Sequence, residues 1–123
     1  MKYTYEIYSK NQLIYVVTMG DLITEEVVAM GLKIMLKAKE LKYKILFDNR
    51  LSRNRITTVE AYYWFSTHFD KIDPELRHIP SAYISNKVDW DFYSFFECTC
   101  NNKGIRIRAF QEENAAMEWL KSL

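Results

Sequence analysis

Glycine is scarce. Three glycines stand among 123 residues, and the chain has no P-loop, no dinucleotide-binding glycine triplet, no nucleophile elbow and no H-E-x-x-H. Loops that cradle phosphate need closely spaced glycines, because the backbone itself must approach the anion. Binding of that kind is excluded, and no cofactor is expected. The two cysteines, Cys98 and Cys100, cannot build a disulfide framework. With only His68 and His78 elsewhere, they also lack zinc spacing, so no metal is expected and both thiols read as small buried side chains. Two prolines and the absence of low-complexity tracts leave no linker, so residues 1–123 read as one domain. Charge of one sign is missing too. Seventeen basic and sixteen acidic residues give a net charge of +1, and no global field favours nucleic acid or an anionic membrane. No apolar run approaches the roughly 18–20 residues of a membrane span. Met1-Lys2-Tyr3-Thr4-Tyr5-Glu6 alternates and carries charge where a signal peptide has an apolar core. A cytoplasmic location is the expectation.

Aromatic residues, by contrast, are abundant. Nine tyrosines and seven phenylalanines exceed what a core of this size needs, so some should line a surface or an interface. The hydrophobic pattern runs strand, strand, then alternating helix and strand. Residues 3–8 alternate as a strand with one wetter face, and residues 13–19 are apolar on both faces, joined to the first by a tight antiparallel turn. Gly20 to Ile23 breaks the pattern. Thr24 reads as the N-cap of a helix to about 41, with Glu25 and Glu26 in its first turn. Gly31 lies mid-helix on the apolar face and reads as close packing against the sheet. Ile45, Leu46 and Phe47 form a central strand over 44–48. Thr57-Thr58-Val59-Glu60 fits a capping box opening a second helix to about 70, with Tyr62, Phe65, Phe69 and Ile72 on one face. A loop from Asp73-Pro74 reaches Pro80, and residues 82–85 form a fourth strand. Asp89 reads as the cap of a third helix that turns Phe92, Phe95, Phe96 and Thr99 inward. Gly104 suits a left-handed stop. Residues 105–110 alternate as an edge strand, and Ala116, Trp119, Leu120 and Leu123 give a closing fourth helix. Strands separated by helices imply parallel pairing by right-handed crossovers. The predicted architecture is α/β, a five-stranded mixed sheet with an N-terminal antiparallel hairpin and four helices.

Two features resemble a known family. Phe110, Ala116, Trp119 and Leu120 look like the closing "F, acidic loop, A, two residues, W-L" of STAS / SpoIIAA-like domains, and Ile45-Leu46-Phe47-Asp48 looks like their third strand. The resemblance implies a non-enzymatic regulatory or ligand-binding domain. In some members a serine after the third-strand aspartate is phosphorylated to switch partners. Here Asn49 stands after Asp48 where those members carry the serine, and Gln111 and Glu112 stand where an aspartate is usual. Another branch of the family is compared with lipid-binding domains.

The stretch from Asp48 to Thr58 carries the first candidate site. A strand end followed by Arg50, Arg53 and Arg55 and then a helix start is where α/β proteins bind ligands. Guanidinium groups beside a helix N-terminus suit a phosphate, a carboxylate or an acidic partner, with Asp48, Asn49, Ser52, Thr57 and Thr58 assisting. The plainer alternative is a solvated loop in which Thr57 is occupied as a cap. Asp48 could act as an acid or base, but the sequence sets no second acid, nucleophile or histidine beside it, so a loop-ordering carboxylate is preferred and no catalytic residue is assigned. Tyr63, Trp64, His68 and Trp90 form the second candidate, an aromatic surface for a protein partner or a homodimer. Its alternative is that the loop over 73–80 covers them. A protein partner, a small anionic ligand and an apolar ligand held beneath the second and third helices all remain open.

Overall fold

The computed structural model describes residues 1–123. Strand β1 (Lys2–Tyr8) and strand β2 (Leu13–Leu22) form the hairpin, and α1 (Thr24–Leu41) crosses to β3 (Lys44–Asn54). Helix α2 (Thr58–His68) runs into a 3-10 turn (Phe69–Lys71) and a single-turn helix α3 (Pro74–Arg77). Strand β4 (Ser81–Ile84), helix α4 (Trp90–Asn102), strand β5 (Ile107–Phe110) and helix α5 (Glu113–Lys121) complete the chain. The sheet order is β1-β2-β3-β4-β5, antiparallel at β1–β2 and parallel elsewhere. The expected mixed sheet is present. Five helices replace the expected four, because Asp73-Pro74 starts a helix as well as ending one. The Asp73 carboxylate accepts from the Glu75 N–H at 2.9 Å, and Pro74 occupies a first-turn position where its missing N–H costs nothing.

Because neighbours in sequence are neighbours in space, each parallel crossover steps in the same direction. The right-handed rule then puts all the crossover helices on one face. Ile14, Val16, Ile45 and Phe47 meet Met30, Ile34 and Ala38 of α1 there, and Phe65 of α2 and Cys100 of α4 meet Ile105 and Ile107 beside them. The other face has α5 alone. Ala116 and Leu120 cover Leu13, Leu46, Ala82 and Ile84, and Lys44 Nζ donates to the Leu120 carbonyl at 2.6 Å. A monotonic order also means no point where the sheet reverses, so the crevice that opens at such a reversal in doubly wound sheets is absent.

Several local expectations are corrected. β2 and β3 both outrun their predicted ends and pair with each other from Met19↔Leu51 to Leu22↔Asn54, a two-stranded ribbon beyond the last β3–β4 pair, Asp48↔Ile84. Backbone pairing overrides the breaker signal of Gly20, which takes φ +84° within the strand. β5 begins at Ile107, β4 at Ser81 and ends at Ile84. Ile23 holds the cap position of α1, and Thr24 is its first helical residue. Asp89 stands at the cap of α4 without bonding to it. Its carboxylate accepts instead from the Asn54 N–H at 2.9 Å, tying the α4 entry to the ribbon. Tyr93 and Cys100 are the buried residues of α4, whereas Phe92, Phe95 and Phe96 are half-buried. Cys98 is exposed.

Candidate functional site

Between Val17↔Asp48 and Met19↔Leu51 the β2–β3 register slips by one residue, so Asn49 and Arg50 together oppose Thr18. A bulge of this kind re-aims side chains and leaves one residue outside the ladder. The pleat itself sends Asp48 and Asn49 to opposite faces, both buried. Asp48 faces α5. Arg50 grips it with Nε on Oδ1 at 2.9 Å and Nη2 on Oδ2 at 2.7 Å, and the Arg50 N–H donates to Oδ1 at 3.2 Å. The Tyr15 hydroxyl lies 3.0 Å from Asp48 Oδ2 and 2.6 Å from Glu113 Oε1. One hydroxyl carries one proton, so it serves one carboxylate at a time. Arg50 Nη2, 3.3 Å from Glu113, supplies the remaining positive charge. Burial pushes the Asp48 carboxyl up, but the hydrogen bonds from Arg50 and Tyr15 outweigh it and hold Asp48 below the usual carboxylate range. Burial, then the bonds to Glu113 and Asp48, push the Tyr15 hydroxyl well above its ordinary value. An acid or base for chemistry near neutrality needs a carboxyl raised toward that pH. Asp48 is moved the other way.

Asn49 faces the crossover helices. Its Oδ1 accepts from the Thr18 hydroxyl at 2.6 Å and its Nδ2 donates to the Tyr93 hydroxyl at 2.9 Å, so both ends of the amide are satisfied in a buried position. Ser52 is also buried and donates to the Asn49 carbonyl at 2.9 Å. The remaining candidates divide. Arg53 Nε lies 3.9 Å from Asp89, and Arg55 Nε lies 3.2 Å from Asp21. All three arginines therefore face carboxylates, Arg50 most tightly. Thr57 and Glu60 form the expected capping box in full, and Thr58 is the exposed first residue of α2. The stretch read as loop is strand as far as Asn54, with Leu51 projecting from it 69% exposed.

On the crossover face lies a partly enclosed cavity of about 150 Å³ whose wall is almost wholly apolar, with 20 hydrophobic residues among 25. Gly31 and Met35 of α1, Trp64 and Phe65 of α2, and Phe96 of α4 form its sides, over a floor of Phe47 and Tyr83 stacked 4.8 Å apart. Gly31 does not pack closely: a Cβ there would meet nothing within 4 Å. α2 leans on α4 and the 3-10 turn rather than on α1, and the Thr24 hydroxyl, 3.2 Å from Glu60 Oε2, links the two helix starts. Protein interiors hold few voids larger than a water molecule.

The aromatic candidates split along the same wall. Trp64 is half-buried, edge-on to Phe65 at 5.5 Å and tilted over His68 at 5.0 Å. Tyr63 points outward, 65% exposed. Trp90 stands apart, half-buried in the first turn of α4. A second, polar hollow of about 240 Å³ lies at the carboxyl ends of the strands, lined by Arg50, Ser85, Asn86, Lys87, Gln111 and Glu112. Sequence reasoning missed Tyr15 as a partner of Asp48, and Glu113 as a second carboxylate sharing both that hydroxyl and Arg50. Tyr15 is 33 residues away from Asp48, and only the parallel β2–β3 pairing and the placement of α5 bring the three together.

No protein-family model matches the sequence, and no curated protein matches it. Solved structures share its fold, among them two from bacteria. One is an uncharacterized protein of the DUF3478 family with a SpoIIAA-like fold from Shewanella loihica PV-4. It superposes with a TM-score of 0.57 at 13% identity, covering 97% of this chain and 92% of that one. The other is an anti-sigma factor antagonist from Mycobacterium paratuberculosis, with a TM-score of 0.57 at 8% identity over 98% and 95% of the two chains. The SpoIIAA-like fold expected from the chain's closing residues is the fold it adopts.

Proposed function

From a SpoIIAA-like fold with this surface, we infer a non-enzymatic regulatory domain that recognises a partner protein at the carboxyl end of its sheet. One observation carries the reading. The five most exposed large apolar side chains of the molecule, 56–69% exposed, are Leu51, Val59, Tyr62, Tyr63 and Val88. All lie on the β2–β3 ribbon, the loop tied to it, or the outer side of α2. The Asn86 amide donates to the Ser52 carbonyl at 2.8 Å, which holds the Val88 loop against the ribbon. Apolar side chains grouped this way mark interaction surfaces, and tyrosines are favoured anchors. The paired arginines at the same end form a charged rim suited to register and encounter rate. Asp48, ionised and already engaged on both oxygens, supports recognition over catalysis. The anti-sigma factor antagonist that shares the fold supports a regulatory, protein-binding role.

The test compares tagged wild type with a Leu51→Asp/Val59→Lys variant in quantitative pull-downs from the source cells, after circular dichroism shows both folded. A protein retained by wild type and lost by the variant is expected. Equal recovery by both would remove this surface from the function.

The apolar cavity favours a second reading, a carrier of a small apolar ligand held between α1 and α2. Native mass spectrometry distinguishes it: a co-purifying mass released on denaturation supports a carrier, and a bare chain that also fails to bind added apolar probes rejects it.

A further inference from the structure

The two edges of the sheet are finished differently. β5 is four residues long. The Arg106 and Phe110 carbonyls accept from Ser81 and Ser85 on the β4 side, so Ala109, out of phase with them, faces outward. Glu97 Oε1 of α4 takes the Ala109 N–H at 2.7 Å, and that edge is closed. β1 has no such cover. It is seven residues long, contains no proline, pairs with β2 from Lys2↔Met19 to Tyr8↔Leu13 without a bulge, and packs closely only on β2. Six of its residues are exposed, among them Tyr5, Ile7 and Tyr8. A long, flat, partly apolar edge is a template for another strand, and natural proteins normally blunt it.

We propose that β1 is a homodimer interface, in which a second copy of the chain adds its own β1 antiparallel about a two-fold axis at Thr4. The sequence of the strand selects this partner and this register. Pairing with β2 puts Tyr3, Tyr5 and Ile7 on the α1 face with Thr18, Val16 and Ile14, and puts Thr4, Glu6 and Tyr8 on the α5 face with Val17, Tyr15 and Leu13. A two-fold axis through the sheet keeps each row on its own face. With Thr4 opposite its own copy, Lys2 meets Glu6 of the second copy, and Tyr3 meets its Tyr5, each twice by symmetry. Opposite charges and aromatic pairs directly across an antiparallel ladder stabilise it. Centring on Tyr5 instead sets Lys2 against Tyr8 and Glu6 against Thr4, and centring on Tyr3 leaves Glu6 beyond the pairing. Only the Thr4 register matches the strand's one base to its one acid. Glu6 Oε2 already accepts from the Tyr8 hydroxyl at 2.6 Å, which holds the carboxylate on the α5 face and leaves Oε1 for Lys2. The assembly closes, because joining two copies consumes both open edges and leaves the two guarded by Glu97 outermost.

Sedimentation of the full chain across a micromolar concentration series tests this. Wild type should approach twice its 14.7 kDa mass as concentration rises. Glu6→Lys should weaken the dimer by about tenfold or more, since two attractive pairs become repulsive, and Lys2→Glu/Glu6→Lys should restore it. In a Cys98→Ser background, Thr4→Cys should form an intermolecular disulfide on mild oxidation, because directly opposed Cβ atoms lie near disulfide range. A wild type that stays monomeric at the highest concentration overturns the proposal. So does a dimer indifferent to the single charge reversal, or one that the double reversal fails to restore.

Discussion

Gly31→Ala is the substitution that most directly tests the packing described for α1. The residue sits within an 18-residue helix with no positive φ, so nothing in its backbone requires glycine. A Cβ built there meets nothing within 4 Å, and Gly31 lines the apolar cavity. Alanine is favoured over glycine in a helix interior by about 0.8–1 kcal/mol. Gly31 is only half-buried, so the added methyl gains roughly half of the ~0.8 kcal/mol of a fully buried carbon. The variant should therefore be more stable by about 1–1.5 kcal/mol. For 123 residues, the unfolding entropy per residue converts each kcal/mol into roughly 4 °C, so the melting temperature should rise by about 4–6 °C. Differential scanning calorimetry with a urea midpoint at constant m-value provides the measurement. A close approach of the helix to the sheet, the meaning glycine usually has at such a place, would give the opposite sign, because overpacking costs about 1–3 kcal/mol. A destabilised Gly31→Ala would refute the cavity wall as drawn.

Two further outcomes follow from the buried polar groups. The folded Asp48 carboxyl is held below its ordinary value, so its contribution to stability is complete above the unfolded value and is lost as pH falls through the folded one. Asp48→Asn should accordingly flatten the acid limb of urea midpoints measured from pH 7 down to pH 2, and an unchanged limb would deny Asp48 this role. Asn49→Ala strands the Thr18 and Tyr93 hydroxyls in a buried setting and should cost on the order of 1–3 kcal/mol. In a double-mutant cycle with Tyr93→Phe the two losses should be strongly non-additive, whereas simple additivity would mean that the hydrogen bond between them is not formed.

Element type was legible wherever one periodicity dominated over a full element. The capping box at Thr57 and Glu60, the extent of α1 and the left-handed Gly104 all stand as their local chemistry implies. What the chain hid was produced by pairing. Arg50, Leu51 and Arg53 have no strand pattern of their own, and they are held in β3 by hydrogen bonds to β2, so the arginine-bearing segment looks like a loop when read alone. Asp48 looked unpartnered because Tyr15 reaches it only through the parallel register, and α5 alone brings Glu113 to share that hydroxyl. Gly31 was misread for a related reason: a glycine on an apolar helix face signals either contact or vacancy, and only the position of α2, leaning toward α4, decides between them.

The placement of α5 has a consequence for how the domain can come into being. Leu13, Leu46, Ala82 and Ile84 come from three different strands, and one short helix shields them all. During synthesis from the amino end, β1 to β5 and every crossover helix emerge before residue 113. The opposite face of the nascent sheet then stays an uncovered apolar plane until α5 is made, at about 5–20 residues per second. Lys44, waiting at the start of β3, donates to the carbonyl of Leu120 only at that moment. The domain is thus a vessel sealed by the helix that follows its last strand. A pause or cut shortly before α5 would leave a nearly complete fold with its stickiest side toward the chaperones.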